Sequence, residues 1–327
     1  MLTYTLVRKY FYSKIQLQRR GQILKVLVVG AGAVGGYFGG RLHEKGVDVT
    51  FLVREGRQKQ LKEKGLKIES IHGNYTFQPK TVLTTESDIE VYDVILIGTK
   101  SYHFNQAIKD IKPFVGTQTT IIPMLNGIKH LYELQTMFAK EQIIGGLCFV
   151  ESTVNEEGTI IQTSPSHELV YGELSGEETE RIMKIEEVFS HTKASIRRSN
   201  TILQDMWHKY MFITGLSGVT SIFRSSIGPI LKTEHGLEII EGLFAEIGFI
   251  MRKMNAPIVD GIEEVQVNRV KEMDYTMKSS MQRDMEKGFQ VEANHLQGYL
   301  LSEAEKHKVN TPYLKIVYAN LETYGKQ

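Results

Sequence analysis

The fold is decided by the stretch Ile23-Leu-Lys-Val-Leu-Val-Val-Gly30-Ala31-Gly32-Ala33-Val34-Gly35-Gly36. Its first seven residues are largely apolar and β-branched, which predicts a strand, and the pattern G-x-G-x-x-G follows directly. In such a turn the first glycine permits the sharp bend and the second lets a phosphate approach the backbone. The third lets the following helix pack on the strand, and the N–H groups of that helix attract anions. The stretch therefore predicts a Rossmann unit that binds a dinucleotide through residues 30–35; the alternative is a glycine-rich packing turn.

The end of the second predicted strand bears on which dinucleotide is bound. This strand, residues 47–53, is followed by Arg54, and the only acid nearby is Glu55. An NAD-preferring unit usually has an acid here that accepts from the ribose 2′-hydroxyl, whereas a guanidinium forms two hydrogen bonds with a phosphate. The pattern predicts NADPH, with Arg54 on its 2′-phosphate; the alternative is an ordinary solvated cation. Arg57 and Lys59 are expected to face solvent.

Composition excludes several classes of protein. The chain has 327 residues, enough for two domains, and a net charge of +1, so nothing global attracts nucleic acid or an anionic membrane. No apolar run approaches the roughly 20 residues of a membrane span. The single cysteine, Cys148, cannot form an internal disulfide, which fits a reducing compartment. We expect Cys148 to be a core residue, and no metal site is predicted.

The first 22 residues differ from the rest of the chain, because they are rich in Lys and Arg and contain no acid. Such a start resembles a mitochondrial transit peptide, and it also fits an extension from an upstream start codon or a disordered arm. We interpret it as an incidental extension on a cytoplasmic protein, with the fold beginning near Ile23.

Strand-like and helix-like stretches alternate from Ile23 to about Glu173, which predicts a parallel, doubly wound sheet. Further strands are predicted at 76–83, 92–98, 119–125 and 143–150, together with a hairpin around Gly158 that residues 167–172 join. From Glu177 onward the chain is rich in helix formers, and helices are predicted at 206–220, 233–255, 261–287, 292–307 and 313–324. The predicted fold class is α/β, with an N-terminal Rossmann-type sheet and an all-helical C-terminal domain. The predicted division is an extension at 1–22, an NADPH-binding domain at 23–195 and a substrate domain at 196–327.

A second group of residues is placed where a substrate would meet the coenzyme. Lys100 and Asn126 follow predicted strands, at the carboxyl edge where Rossmann domains bind ligands. Lys209 lies near the start of an otherwise apolar helix, Glu292 lies at a helix start, and Ser280 lies on another helix. Hydride addition to a carbonyl builds negative charge on oxygen, so a cation or an acid is needed beside it. Each residue also has an ordinary alternative as a solvated lysine, a first-turn carboxylate or a turn residue.

Taken in order, these blocks resemble the ketopantoate reductases (2-dehydropantoate 2-reductases). The opening block is similar to the opening of that family almost letter for letter, and the later blocks follow in the same order. The resemblance covers about residues 23–320. The blocks that carry it are 30–42, 48–54, 99–100, 126–128, 207–209, 278–284 and Glu292.

The resemblance implies NADPH-dependent reduction of 2-dehydropantoate to (R)-pantoate, a step toward pantothenate and coenzyme A. It implies that Lys209 is the general acid that protonates the nascent alkoxide. Glu292 would hold a substrate hydroxyl and help to orient Lys209, and Ser280 would donate to the substrate carboxylate. Asn126 and Lys100 would bridge coenzyme and substrate.

Two positions on the lysine helix depart from the family pattern, since Ile213 and Ser217 stand where asparagines are usual. Ile213 cannot form hydrogen bonds, and losing such a contact costs on the order of 1–3 kcal/mol or favours a less polar substrate. Ser217 keeps a hydroxyl and is predicted to contact the substrate. The alternatives are reduction of another small branched keto acid, or a non-catalytic NADPH sensor, against which Lys209 and Glu292 argue. The apolar helices are compatible with a homodimer, and no nucleic-acid or membrane partner is expected.

Overall fold

The computed structural model of the protein describes residues 24–85 and 89–326, so the predicted extension at 1–22 lies outside the described residues. Within the described ranges the chain forms two β-sheets and a helical region. The strands are β1 (Lys25–Val29), β2 (Asp48–Leu52), β3 (Leu66–Ser70), β4 (Tyr75–Phe77), β5 (Lys80–Val82), β6 (Tyr92–Ile97), β7 (Val115–Pro123), β8 (Gly145–Val154), β9 (Ile160–Gly172) and β10 (Ser195–Arg198).

Helices connect the strands of the first half and make up most of the second half. A five-residue π-helix, Asn294–Gly298, leads directly into the helix that follows it. The α-helices are α1 (Ala33–Glu44), α2 (Glu55–Lys64), α3 (Phe104–Ile111), α4 (Lys129–Gln135), α5 (Glu180–Phe189), α6 (Ile202–Phe223), α7 (Ile227–Leu231), α8 (Gly236–Lys253), α9 (Ile262–Lys271), α10 (Ser280–Glu286), α11 (Tyr299–Lys306) and α12 (Pro312–Gly325).

The first sheet is parallel throughout, with the strand order β5-β2-β1-β6-β7. β1 lies at its centre, and the chain runs outward to β2 and β5 before it returns to β6 and β7 on the other side. The predicted α/β class with a doubly wound parallel sheet is therefore confirmed. The strand order reverses between β1 and β6, and sheets of this kind bind ligands at that point, outside the carboxyl ends of the strands.

A second, mixed sheet is present that the sequence did not predict as a separate layer. Its order is β10-β9-β3-β4, and β8 pairs antiparallel with β9. The hairpin around Gly158 is confirmed, and the predicted strand at 167–172 is the continuation of β9. The segment 143–150, expected in the parallel sheet, lies mainly in β8, and the expected strand at 76–83 is divided between β4 and β5. A short apolar run looks the same in either sheet, so its pattern could not assign its partner.

Helix α1 packs between the two sheets, and its glycines permit this close approach. A Cβ at Gly36 would lie 2.4 Å from the Cδ1 atom of Ile160, and one at Gly40 would lie 2.5 Å from the Cδ1 atom of Ile68. Both isoleucines belong to the second sheet, whereas the helix follows the central strand of the first. The glycine-rich start of α1 therefore holds the two sheets against each other, directly below the predicted coenzyme turn.

In the helical region four of the five predicted helices are present, with shifted ends. The predicted helix at 261–287 is wrong, because the chain forms α9, an irregular segment over 272–279 and then α10. The carbonyl groups of Tyr275 and Met277 accept hydrogen bonds from the backbone of Gly228 and Ile227, respectively. Ser279 then starts α10 as a cap that accepts from the backbone of Gln282. Hydrogen bonds to a distant segment thus take the place of helical hydrogen bonds here. Local helix propensity cannot predict such a break, because it depends on the tertiary structure.

The last strand ends at Arg198 and α6 begins at Ile202, so helices dominate from there onward. The division of the chain near residue 195 stays a prediction. One apolar core joins the two regions, since Trp207 and Tyr210 of α6 belong to the same buried cluster as Leu125, just after β7. No helix of the described residues is long and apolar enough to cross a membrane.

Candidate active site

The predicted dinucleotide turn joins β1 to α1. Gly30 adopts a positive φ of 91°, a conformation that favours glycine, and its N–H donates to the carbonyl of Leu52 at 3.0 Å. A Cβ at Gly35 would lie 2.2 Å from the carbonyl oxygen of Gly30, so no larger residue fits there. The geometry matches the first and third roles that the pattern assigns to these glycines.

The start of α1 opens onto a cleft of about 600 Å³, here called the glycine-turn cleft. Gly32 is the N-cap of α1 and no side chain caps the helix. A Cβ at Gly32 would meet no atom within 4 Å, which shows open space beside the turn. Ala33 and Val34 form the first turn, whose N–H groups lack partners within a helix. An uncapped helix start beside open space fits the pyrophosphate of a dinucleotide.

Two arginines line the glycine-turn cleft. Arg54 is exposed, lies 3.5 Å from the ring of His103 and forms no ion pair with any described residue. It lines the cleft and is thus placed to contact an anion bound there. Arg57 was expected to face solvent, but it is partly buried and donates to the carbonyl oxygens of Ala31 at 2.9 Å and Gly158 at 3.1 Å. Arg57 thus ties the glycine turn to the β8–β9 hairpin.

A second cleft of about 470 Å³ lies between the helical region on one side and β8, β9 and the loop after β7 on the other, and is here called the lysine cleft. It brings together residues from both halves of the chain that the sequence analysis singled out separately. Those that line it are Asn126, Lys209, Ile213, Ser217, Ser280, Asp284 and Glu292. Lys100 joins them from the loop after β6, because its ammonium lies 2.7 Å from Asp284 and 3.8 Å from Glu292.

Lys209 is the most constrained side chain of this cleft, with only 7% of its surface exposed. Its ammonium donates to the Oδ1 atom of Asn126 at 2.9 Å and to the carbonyl oxygen of Cys148 at 2.6 Å. An ammonium carries three donors, so one remains for a ligand. Burial lowers the pKa of Lys209, the charge of Arg269 acts in the same direction, and the charge of Glu292 opposes both.

The packing of α6 explains why this lysine faces the cleft. Trp207 and Tyr210 are buried in the core, and the hydroxyl of Tyr210 donates to the carbonyl oxygen of Leu296 at 2.6 Å. Residues three to four positions apart share a helix face, so Lys209 points with Ile213 and Ser217 to the other side. The apolar core thus orients a cation toward the cleft. Cys148, expected in the core, is buried and uses its backbone to hold that cation.

Glu292 makes its contacts with the loop after β6. Its Oε1 atom accepts from the backbone N–H of Ser101 at 2.7 Å, and Oε2 lies near Lys100. No hydrogen bond joins Glu292 to Lys209 among the described residues, so Asn126 and the carbonyl of Cys148 hold the lysine instead. Glu292 therefore acts on Lys209 through charge, and it also joins the two halves of the chain at the mouth of the cleft.

The two predicted serine contacts differ in their surroundings. Ser217 is buried, and its hydroxyl accepts from the Nε2 atom of Gln297 at 2.8 Å. Ser280 is the exposed first residue of α10, whereas its neighbour Ser279 is buried and bonds to Thr220 at 2.7 Å. Of the two, Ser280 has the hydroxyl that is open to a ligand.

Two residues that no sequence pattern indicated, one beside the lysine cleft and one in its lining, contribute to the site. His295 donates from Nε2 to the carbonyl oxygen of Asn126 at 2.9 Å, which fixes the backbone beside the lysine partner. Arg269 stacks on the ring of Phe212, with 4.2 Å between the guanidinium carbon and the ring centroid. Neither residue lies in a recognisable motif, and α9 looks like an ordinary surface helix in the sequence. Only the fold brings them to the site.

Comparison with known proteins agrees with this architecture. The family profile described as ketopantoate reductase PanE/ApbA matches residues 26–176, and the profile of its C-terminal part matches residues 201–325. A Bacillus subtilis protein named uncharacterized oxidoreductase YkpB is 47% identical over 301 residues, which are 92% of this chain and 99% of that protein.

Solved structures show the same fold. The 2-dehydropantoate 2-reductase of Geobacter metallireducens matches with a TM-score of 0.82 at 25% identity, over 92% of this chain and 99% of its own. A D-mandelate dehydrogenase, solved with NADH and anilino(oxo)acetate, matches with a TM-score of 0.83 at 20% identity, over 93% and 99% of the two chains. With profiles matching both halves of the chain and a near relative along almost its whole length, the protein belongs to the ketopantoate reductase family of oxidoreductases.

Proposed function

We propose that the protein reduces the ketone of 2-dehydropantoate to (R)-pantoate with NADPH. The observation that carries this proposal is the buried ammonium of Lys209, held by Asn126 and the carbonyl of Cys148 and facing a cleft beside the family's substrate residues. A reductase of this kind needs a proton donor at the carbonyl oxygen, in a site largely shielded from water.

The glycine-turn cleft supports the coenzyme part of the proposal. Bound there, NADPH supplies the hydride that reduces the substrate carbon. The residues proposed to hold it are Gly30, Ala31, Gly32, Ala33, Val34, Gly35, Arg54, Lys100 and Asn126. The preference for NADPH over NADH rests on Arg54, whose guanidinium lines the cleft, suits a 2′-phosphate and offers no acceptor to a ribose hydroxyl. Glu55 and Asp110 are the acids among the described residues that line this cleft.

Lys209 is proposed to donate the proton to the nascent alkoxide. Burial lowers the pKa of its ammonium, which makes proton release easier than for a lysine in water. Asn126 holds the Nζ atom in place, and His295 in turn fixes the backbone of Asn126. The protein thereby orients the donor before the substrate arrives, which reduces the reorganisation needed during the reaction.

Glu292, Ser280 and Ser217 are proposed to position the substrate. Glu292 uses one oxygen for the backbone of Ser101, and its other oxygen is available to accept from a substrate hydroxyl. The exposed hydroxyl of Ser280 is proposed to donate to the substrate carboxylate. Ser217, already engaged by Gln297, is proposed to form the back wall of the pocket.

A second candidate substrate is another small branched keto acid, and one observation favours it. The wall around Ile213 is apolar, because Phe149, Phe212 and Leu216 also line the lysine cleft. Such a wall binds an alkyl or aryl side chain without requiring a hydroxyl, whereas a site built around hydrogen bonds rejects a substrate that lacks them.

The test is the rate of coenzyme oxidation by purified protein with 2-dehydropantoate, measured in parallel with NADPH and NADH. The expected result is fast turnover with NADPH and a kcat/KM that falls when the substrate hydroxyl is removed. Equal kcat/KM values for 2-dehydropantoate and its deoxy analogue would move the assignment to the second candidate. Tight NADPH binding without turnover on any keto acid would contradict catalysis and support a sensor.

We also propose that the protein forms a homodimer through its helical region. A small apolar cavity there is lined by α6, α8 and α12, and two of its lining residues, Ile316 and Phe223, expose 59% and 40% of their surface. Exposed apolar surface of this kind commonly marks an association site. Light scattering of the wild-type protein and of the Ile316→Glu variant checks it, since a monomeric wild type would contradict the proposal.

A further inference from the structure

Arg269 places a positive charge in the lysine cleft that no carboxylate of the described residues neutralises. It lies in the last turn of α9, where the helix dipole favours a cation. Its guanidinium carbon is 4.2 Å from the ring centroid of Phe212 and 5.5 Å from that of Phe149. Aromatic faces attract a guanidinium but give its N–H groups no acceptor. The planar fork is thus supported by the two rings while its donors stay open to the cleft.

Two other cations that line the lysine cleft already have carboxylate partners. Lys278 pairs with Glu286 at 2.8 Å, and Arg283 lies 3.6 Å from Glu151. Arg269 forms no hydrogen bond and no ion pair with any residue in 24–85 or 89–326. Unlike Lys278 and Arg283, Arg269 thus has both its positive charge and its hydrogen-bond donors available to an anion in the cleft.

Arg269 is also close to the proposed proton donor. The ring of Phe149 contacts both cations, with the Nζ atom of Lys209 at 5.1 Å from its centroid. The two positive charges repel each other, and a carboxylate placed between them relieves that repulsion. In a 2-oxo acid the carboxylate and the ketone are joined by a single bond, so such a substrate presents a negative group beside the carbonyl that must meet Lys209.

We propose that Arg269 binds the substrate carboxylate through its guanidinium, and that the protein selects 2-oxo monocarboxylates whose side chain lies on the apolar wall at Ile213. This inference rests on the proposed function, and it adds the residue that recognises the carboxylate of the substrate. Arg269 supplies the charge, and Ser280 adds at most a neutral hydrogen bond to the same carboxylate. Neutral carbonyl compounds of the same shape should therefore be poor substrates.

The test compares a 2-oxo acid with its methyl ester in wild type and in Arg269→Gln. A hydrogen-bonded charge pair contributes enough that we expect kcat/KM for the acid to fall about 10–100-fold, mainly through KM. The value for the ester should change little, because it carries no charge to lose. Arg269→Lys should restore part of the preference for the acid. The matched control is Lys271→Gln, which removes the same charge from the same helix turn outside the cleft.

Two outcomes would overturn the inference. One is an unchanged ratio of acid to ester in Arg269→Gln while wild type turns over both compounds. The other is an equal loss for the acid and the ester, which would indicate a structural role. If wild type turns over no keto acid, the proposed function fails, and calorimetric titration with oxamate decides this inference separately. Weaker oxamate binding in Arg269→Gln than in Lys271→Gln supports the anion site, and equal binding contradicts it.

Discussion

The glycine-turn cleft and the lysine cleft are built in opposite ways. In the first, the turn that fits a pyrophosphate is one continuous strand, turn and helix whose key contacts are between backbone atoms, and residues from other segments complete the cleft around it. The second is assembled from the loop after β7, strands β8 and β9, three helices with the irregular segment before α10, and the π-helix. The comparison shows that a site made from residues adjacent in the sequence can be predicted from a short sequence motif. A site made from distant side chains depends on the packing that brings them together.

The clefts also differ in how they treat charge. In the glycine-turn cleft the cation Arg54 is exposed, and it can approach a ligand from solvent. In the lysine cleft the cation Lys209 is buried and its pKa is lowered, so its charge is costly unless a ligand compensates it. We therefore expect substitutions in the first to change coenzyme affinity, and substitutions in the second to change the chemical step.

The largest expected effect is that of Lys209→Ala. We expect kcat to fall about 10²–10⁴-fold, the usual range for removing a general acid, with coenzyme affinity nearly unchanged. Steady-state kinetics and a fluorescence titration with NADPH measure the two quantities. Lys253→Ala, at the end of a helix outside both clefts, is the control for removing a lysine. A variant with wild-type kcat would exclude Lys209 as the proton donor.

Arg54→Ala tests the other cleft. Losing a hydrogen-bonded charge pair should weaken NADPH binding about 10–100-fold, while NADH binding changes little because NADH lacks the 2′-phosphate. Dissociation constants for both coenzymes measure the difference. Lys59→Ala, on the helix that Arg54 precedes, is the control for removing a nearby positive charge that is not expected to contact the 2′-phosphate. Equal weakening of NADPH and NADH would show that Arg54 does not read the phosphate.

A smaller effect is expected at Ile213. Replacing it by Asn restores a polar contact on the face of Lys209, and a typical hydrogen bond would raise the preference for a hydroxylated over a deoxy substrate about 3–10-fold. The ratio of the two kcat/KM values is the measurement, with Ile213→Val as the apolar control. An unchanged ratio would mean that position 213 does not contact the substrate side chain.

The smallest expected effect is a displacement of the pH profile in Glu292→Gln. With Lys209 as the proposed proton donor, kcat/KM should fall as pH rises through the pKa of Lys209, which burial places below its usual value. The carboxylate of Glu292 favours the charged lysine, so removing it should lower that pKa and move the alkaline limb to lower pH. Arg269→Gln should move the limb the opposite way. Profiles that coincide would show that neither charge reaches Lys209.

Much of the fold was predictable because its signals are local. The strand at 25–29, the turn at 30–35 and the start of α1 follow from adjacent residues, and so do the hairpin around Gly158 and the last helix behind Pro312. The second sheet was not predictable, because strand partners are set by contacts between distant segments. The break between α9 and α10 arises in the same way, from hydrogen bonds to the backbone around Gly228.

For the lysine cleft, the sequence by itself determined which side chains are available, namely Lys209, Asn126 and Glu292 in the order that the family resemblance implies. Only the tertiary structure decided their contacts. Lys209 donates hydrogen bonds to Asn126, which lies 83 positions away in the sequence, and to the carbonyl of Cys148, which lies 61 positions away. Arg269 lines the same cleft, although no sequence motif indicates that it belongs to the site. The physical reason is that strand, turn and helix form from neighbours along the chain, whereas burial and hydrogen-bond partners depend on how the whole chain packs.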